Sequence, residues 1–264
     1  MAANEAIQFH DPSGKYKVRY QGAYPGIEVL VSHGDGLVSE PGAMTTMHND
    51  VSLKAQMLNK STGQTCLACC CAGESFFANY YQPKDHVPPG YGLDVFITPS
   101  GPGEVMLLHM NNEEWLIQSG SFLCADSSLT IGATAQGRDC ADMCKKGCCS
   151  GEGFFLLRVT GTGRLCLDAY GSILRYDLQP GEQRVIDNGQ ILCWTSGMDY
   201  DINFAVPGNM CQSYLSGEGF VCTFTGPGTV YCHTRSWQGL ADAIAPHLPT
   251  QASNENGDGG GGGD

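Results

Sequence analysis

The sequence predicts an all-β chain built from three tandem β-modules, and three observations carry that expectation. The first is a phrase repeated three times: Gly73-Glu74-Ser75-Phe76, Gly151-Glu152-Gly153-Phe154 and Gly217-Glu218-Gly219-Phe220, whose leading glycines step by 78 and 66 (151−73 and 217−151). The second is another landmark with a similar step. Gly42, Gly120 and Gly189 each precede a short apolar stretch, a polar turn and a second apolar stretch, and they step by 78 and 69 (120−42 and 189−120). Two unrelated landmarks at nearly the same spacing indicate one unit copied three times. The third is composition: charged residues make up 16% of the chain, with 36 Gly and 13 Pro, which favours short strands and tight turns over long salt-bridged helices.

Taken in order, residues 1–22 form an N-terminal extension in which Tyr16-Lys17-Val18-Arg19-Tyr20 alternates as an added strand. The first module spans 23–92. Ile27, Val29 and Val31 alternate with Glu28, Leu30 and Ser32, and a turn at His33–Gly36 leads to a second strand through Val38. Pro41-Gly42 turns the chain again before Val51–Ala55, and Phe76–Tyr81 is strongly strand-forming. Period two with turn residues between is the pattern of a half-buried antiparallel sheet. Gln82–Tyr91, with three prolines, reads as a loop insertion.

The second module spans 93–160. Leu93–Ile97, Glu104–Leu108, Trp115–Ile117 and Leu129–Ala133 are its strands, and Asp139–Gly147 has the composition of one or two helical turns with Asp139 as N-cap. The third module spans 161–250. A turn is expected at Gly161-Thr162-Gly163, strands at Leu165–Gly171 and Ile173–Leu178, turns at Pro180-Gly181 and Asn188-Gly189, and a closing hairpin from Phe220–Phe224 to Val230–His233. One helix is predicted at its end, capped by Ser236 with Leu240, Ala241, Ile244, Ala245 and Leu248 at helical spacing; Pro246 kinks or ends it. Residues 251–264 finish in a glycine tract and read as a disordered tail.

The formal net charge is −13. Such a surface repels phosphate backbones and anionic lipid, so nucleic acid is not an expected partner. No run of about 18 apolar residues occurs, so direct membrane insertion is not expected. The first residues lack the order of a secretory or transit peptide, which gives a cytoplasmic expectation. Fourteen cysteines are then read as thiols. Cys124, Cys166, Cys193, Cys222 and Cys232 fall at strand positions, where a buried Cys behaves as a small hydrophobe.

The candidate chemistry is sparse. Cys66 and Cys69 in one cluster and Cys140 and Cys144 in another have spacings that can serve zinc. Cys70-Cys71 and Cys148-Cys149 recur at the same repeat position, and strand neighbours point to opposite faces, which speaks against joint ligation of one ion. The histidines are scattered, with no H-x-H or H-E-x-x-H, and neither a Walker sequence nor a G-x-S-x-G is present. Gly42, Gly73, Glu74, Gly120, Gly151, Glu152, Gly153, Gly189, Gly217, Glu218 and Gly219 are assigned to turns, no residue to catalysis, and no cofactor is expected beyond a weak zinc candidate.

The third module carries a resemblance. Gly151–Phe155, Gly161-Thr162-Gly163, Leu165–Gly171, Asp187-Asn188-Gly189, Gly217-Glu218-Gly219 and Gly226-Pro227-Gly228 resemble the altered inheritance of mitochondria family, and the likeness runs from about Tyr24 to Leu248. The resemblance implies three domains like the tryptophan RNA-binding attenuation protein, each a β-sandwich or short double-stranded β-helix, in trimers with nine domains in a ring. That attenuation protein grips RNA with Lys/Arg pairs, whereas this chain has 14 Lys and Arg in total and one Lys-Lys pair, Lys145-Lys146. Mitochondrial members carry targeting extensions that this sequence does not show. The functional expectation is a non-enzymatic, ring-forming scaffold that assembles with itself, most simply as a homotrimer, and can engage other proteins. The alternative is a zinc or small-ligand module using the Cys-rich edges.

Overall fold

The computed structural model describes residues 11–19, 22, 24–60, 77–135, 155–217 and 219–248. It is predominantly antiparallel β-structure in several sheets, none closed into a barrel. The strands are β1 (Tyr16–Arg19), β2 (Gly26–Val31), β3 (Leu37–Ser39), β4 (Met44–Met47), β5 (Val51–Met57), β6 (Asn59–Lys60), β7 (Phe77–Pro83), β8 (Leu93–Ile97) and β9 (Gly103–Gln118). They continue with β10 (Phe122–Asp126), β11 (Thr130–Ala135), β12 (Phe155–Tyr170), β13 (Ile173–Leu178), β14 (Gln183–Asp187), β15 (Ile191–Thr195), β16 (Asp199–Phe204), β17 (Phe220–Thr225) and β18 (Gly228–His233).

One pairing scheme occurs three times. Each repeat has six strand segments, a to f in chain order: segment f pairs with a and c, and segment e pairs with b and d. In the first repeat these are β2, β3, β4, β5, β7 and β8. In the third they are β13, β14, β15, β16, β17 and β18. In the second, a and b are the two halves of β9, c and d are β10 and β11, and e and f are the two halves of β12. Even an irregularity is copied. The c–f ladder shifts register between Met44 and Thr46, between Phe122 and Cys124, and between Ile191 and Cys193. The skipped residues, Thr45, Leu123 and Leu192, step by 78 and 69 (123−45 and 192−123), the step of the glycines that precede them.

The apolar alternation places the core. Ile27, Val29 and Val31 are fully buried on one face of β2 against Val95 and Ile97 of β8. A middle cluster is built on Ile117, Val159, Leu165 and Leu167, and a third on Trp194, Phe224, Val230 and Cys232. Each cluster also takes residues from the adjoining repeat: Leu123 and Cys124 lie in the first, Leu192 and Cys193 in the second, Leu116 and Leu156 in the third. The cysteines at strand positions are buried thiols, with Cys124 opposite Cys166 in the β10–β12 ladder. The added N-terminal strand forms as β1 on the edge of β2.

Two local expectations are corrected. Gly161-Thr162-Gly163 is not a turn: β12 runs through it, and through position 160, as one strand of 16 residues paired along its length with β9. The glycines absorb a register shift there, with φ of +120° at Gly161 and +158° at Gly163, backbone that side chains with a Cβ rarely adopt. Nor do β17 and β18 form a hairpin. They enter different sheets, β17 between β14 and β16 and β18 between β13 and β15, because each completes a different half of the same repeat.

The C-terminal helix is present. Following α1 (Met210–Leu215), which the sequence reading did not anticipate, α2 spans Trp237–Ile244. Ser236 caps α2 by accepting from the Gly239 N–H, and a 3-10 turn at Ala245–His247 containing Pro246 ends it. The possible helical turns at Asp139–Gly147 and the tail at 251–264 lie outside the described residues.

Candidate functional site

The repeats are joined by one kind of seam, and that seam exposes what the chain leaves open. Segment c of each following repeat pairs with segment b of the repeat before it. Cys124, Ala125 and Asp126 of β10 lie opposite Ser39, Val38 and Leu37 of β3. Cys193, Trp194 and Thr195 of β15 lie opposite Ile117, Leu116 and Trp115 of β9. The two seams share one register: 124 and 193 correspond, as do 39 and 117. Among the described residues, segment c of the first repeat (β4) and segment b of the third (β14) have no such partner and stand at sheet edges.

Burial follows the seam. All of β3 and β10 is buried, whereas β4 is half-buried to exposed and β14 is exposed from Gln183 to Val185. The register makes Val185 the counterpart of Val38 and Leu116. Those two are 1% and 8% exposed, and Val185 is 61% exposed. The counterpart of Ala125 and Trp194 on the other open edge is Met47, which is half-buried. Thr45 and Thr46 stand where the inner seams carry Leu and Cys, so the outer edge is the more polar version of the same surface.

A second cluster lies beside the first seam. Asp126, at the end of β10, is almost fully buried. Its Oδ1 accepts from Lys15 Nζ at 2.6 Å and from the Tyr16 hydroxyl at 2.9 Å. Its Oδ2 accepts from the Arg164 backbone N–H at 2.9 Å and Nε at 2.8 Å. Lys15 also reaches Asp35 at 2.5 Å, and Arg164 reaches Asp11 at 3.2 Å. Burial alone would push the Asp126 carboxyl up, but the hydrogen bonds and charges of Lys15 and Arg164 outweigh it and hold the carboxyl below its ordinary value. This satisfied network fastens the N-terminal segment across β10 and β12. Its charges are engaged with one another within the chain.

A third group has the opposite character. Burial raises the Glu40 carboxyl to about 8, with the charge of Asp168 adding to the effect, and burial raises Asp168 to about 6. No cation is paired with either among the described residues. Their neighbourhood also holds His233, at the repeat position that Asp168 occupies in the second repeat, where burial lowers the ring pKa against the pull of the Arg235 and Tyr170 carbonyls.

Of the residues assigned from sequence, Gly42 lies in the turn before β4, Gly120 and Gly189 lie in 3-10 turns before β10 and β15, and Gly217 and Gly219 follow α1. They are not gathered into one site. Gly73, Glu74, Gly151, Glu152, Gly153 and Glu218 lie outside the described residues, as do Cys66, Cys69, Cys140 and Cys144. Among the described residues no group of three or more His, Cys, Asp or Glu side chains could hold a metal ion, and no helix is long and apolar enough to cross a membrane. The sequence gives Asp126, Arg164, Asp168 and Asn188 no site role, placing Asn188 in a turn and Asp168 in a strand. The available signal was a carboxylate ending an apolar run, Phe122–Ala125 before Asp126 and Leu165–Leu167 before Asp168, since a charge in such a place must be paired or shifted.

Comparison with known proteins agrees in extent with the repeat structure. A family profile described as Mitochondrial biogenesis AIM24 matches residues 16–235. An uncharacterized protein of Streptococcus pyogenes serotype M6 is 25% identical over 255 residues, covering 95% of this chain and 97% of that protein. A crystal structure of a protein from Streptococcus pyogenes superposes with a TM-score of 0.67 over 88% of this chain and 99% of that chain, at 23% identity; this likeness is one of fold.

Proposed function

The chain belongs to the Mitochondrial biogenesis AIM24 family, and from that premise we propose that it is a non-enzymatic scaffold whose copies join head to tail, β14 of one against β4 of the next, into a closed ring. The observation that carries this reading is Val185, 61% exposed at a position whose two counterparts are buried by exactly the kind of strand that β4 is. Burying a valine stabilises by roughly 1.5–3 kcal/mol relative to leaving it in water. An uncovered edge strand also presents backbone donors and acceptors that favour pairing.

The inner seams supply the register for the outer one. Ile186 would lie opposite Thr46, Val185 opposite Met47, and Arg184 opposite His48. Because segment c meets segment b and not itself, the contact is heterologous, and such contacts close as rings when the rotation allows. A homotrimer of nine repeats, in the manner of the attenuation-protein fold, is the assembly we favour. The acidic surface argues against RNA as its cargo; proteins are the partners that suit a scaffold.

Native mass spectrometry of the purified chain tests this directly. A species near three times 28.1 kDa, about 84 kDa (3 × 28.1 = 84.3), is expected. A monomer at 28.1 kDa that persists across micromolar concentrations would overturn the reading.

A further inference from the structure

We propose that the cavity between the second and third repeats, walled by Asp168, Asn188 and Ser121 and edged by Trp237, is a binding site for a small organic amine that also bears a hydroxyl or carbonyl oxygen. The cavity measures about 190 Å³, below the roughly 300–1,000 Å³ of pockets for larger ligands, so its occupant is small. Asp168 follows Leu167, the last residue of β12 paired with β10, and Asn188 sits in the 3-10 turn that leads into β15; they are 9% and 3% exposed.

Three polar atoms on these two side chains have no hydrogen-bond partner: Asp168 Oδ1, Asn188 Oδ1 and Asn188 Nδ2. Buried polar groups are ordinarily satisfied, and unsatisfied ones gathered at a single cavity point to an occupant that satisfies them. Their chemistry defines that occupant. Two of the atoms need donors and one needs an acceptor. None of the ten residues lining the cavity is Lys or Arg, so the Asp168 carboxylate also lacks a counter-charge. The one cationic candidate, His233, is engaged by the Arg235 carbonyl. An ammonium group supplies both the donors and the charge, and an oxygen on the same molecule accepts from Asn188 Nδ2.

The rim adds an apolar face. Trp237 stacks on Tyr170, with ring centroids 4.5 Å apart and an interplanar angle of 15°, and remains 47% exposed beside the opening. An aromatic surface of this kind attracts both a cation and a flat apolar group. A neutral polyol would also meet the hydrogen-bonding demand but would leave the carboxylate without its counter-charge, which is why the amine is favoured. The site does not depend on ring closure, since both of its walls come from one chain.

Isothermal titration calorimetry of the full chain with phenylethanolamine and, separately, with phenylethylene glycol tests the assignment, because the two probes differ in one group, ammonium against hydroxyl. The amine is expected to bind about tenfold or more tightly than the glycol, as loss of a charge-assisted hydrogen bond implies. Asp168→Asn should abolish that preference, and Trp237→Ala, a change on an exposed helix, should weaken both probes. Equal affinity for the two probes, binding of neither, or full amine affinity in Asp168→Asn overturns the proposal. The comparison of probes on the unaltered chain stands even if Asp168→Asn fails to fold.

Discussion

Val38 lies opposite Ala125 in the ladder that joins the first repeat to the second, and both side chains are essentially inaccessible to solvent, at 1% and 0%. The same relation recurs between Leu116 and Trp194 at the next seam. Carried one step further, as in the proposed assembly, it would bring Val185 of one copy against Met47 of another. The protein thus contains two worked examples of the contact proposed between its copies.

The assembly contact has a specific consequence at that pair. Val185→Asp should dissociate the oligomer by placing a carboxylate in an apolar seam, and adding Met47→Lys should restore it, because opposite charges directly across a ladder attract. Size-exclusion chromatography with light scattering reads both outcomes. Rescue by Lys at Met47 and not at Thr45 would establish the register; an unaltered oligomer in Val185→Asp would remove β14 from the interface.

The same substitution at the equivalent inner position should behave differently. Val38→Asp buries an unpaired carboxylate inside one chain and should cost several kcal/mol, on the order of 3 or more. Val185→Asp alters an exposed residue of the isolated chain and should change its stability by within about 0.5 kcal/mol. Denaturant melts of the two variants, the second read under monomeric conditions, distinguish a fold residue from an assembly residue.

Asp126 should be the most sensitive charged position in the first seam. Asp126→Ala leaves Lys15, whose side chain is only 6% exposed, without its buried partner, a type of change that costs roughly 3–5 kcal/mol. The pH dependence has a defined sign. The Asp126 carboxyl is held below its unfolded value of 3.8, so its contribution is present above that value and is lost as pH falls through the folded pKa. Thermal melts between pH 5 and 2 should show acid unfolding that is shallower in Asp126→Asn than in the unaltered chain.

Glu40 should act in the opposite sense. Its carboxyl rises from 4.5 to about 8, first through burial and then through the charge of Asp168. The folded chain therefore holds a proton there that the unfolded chain releases above 4.5, and stability falls as pH rises from about 4.5 to about 8. Glu40→Gln should remove that slope and stabilise the protein at pH 8 by up to about 4 kcal/mol, given about 1.4 kcal/mol per pKa unit between 4.5 and about 8. An unchanged slope between pH 5 and 8 in this variant would mean that Glu40 ionises freely in the fold.

Much of the architecture is legible before any coordinates. The step of 78 from Gly42 to Gly120 and of 69 from Gly120 to Gly189 is also the step of the bulged residues Thr45, Leu123 and Leu192, because each glycine turn sets the entry of the strand that carries the bulge. Gly161-Thr162-Gly163 was misleading for a local reason. Glycine marks turns and bulges alike, and only the unbroken β9 partner makes this one a bulge. The closing hairpin failed similarly, since adjacency in sequence does not say whether β17 and β18 share a sheet.

What the sequence determined by itself is the triplication, written in landmarks that recur at a fixed step along the chain, and the alternation that buries one face of each strand and the capped helix at Ser236, each written in residues a few positions apart. The tertiary structure decided which edges meet, how Asp126 finds Lys15 from 111 positions away, and that Asp168 and Asn188 share a cavity with unmet hydrogen bonds. These depend on contacts between segments distant in the chain, where no local period constrains the partner and only the packed arrangement selects it.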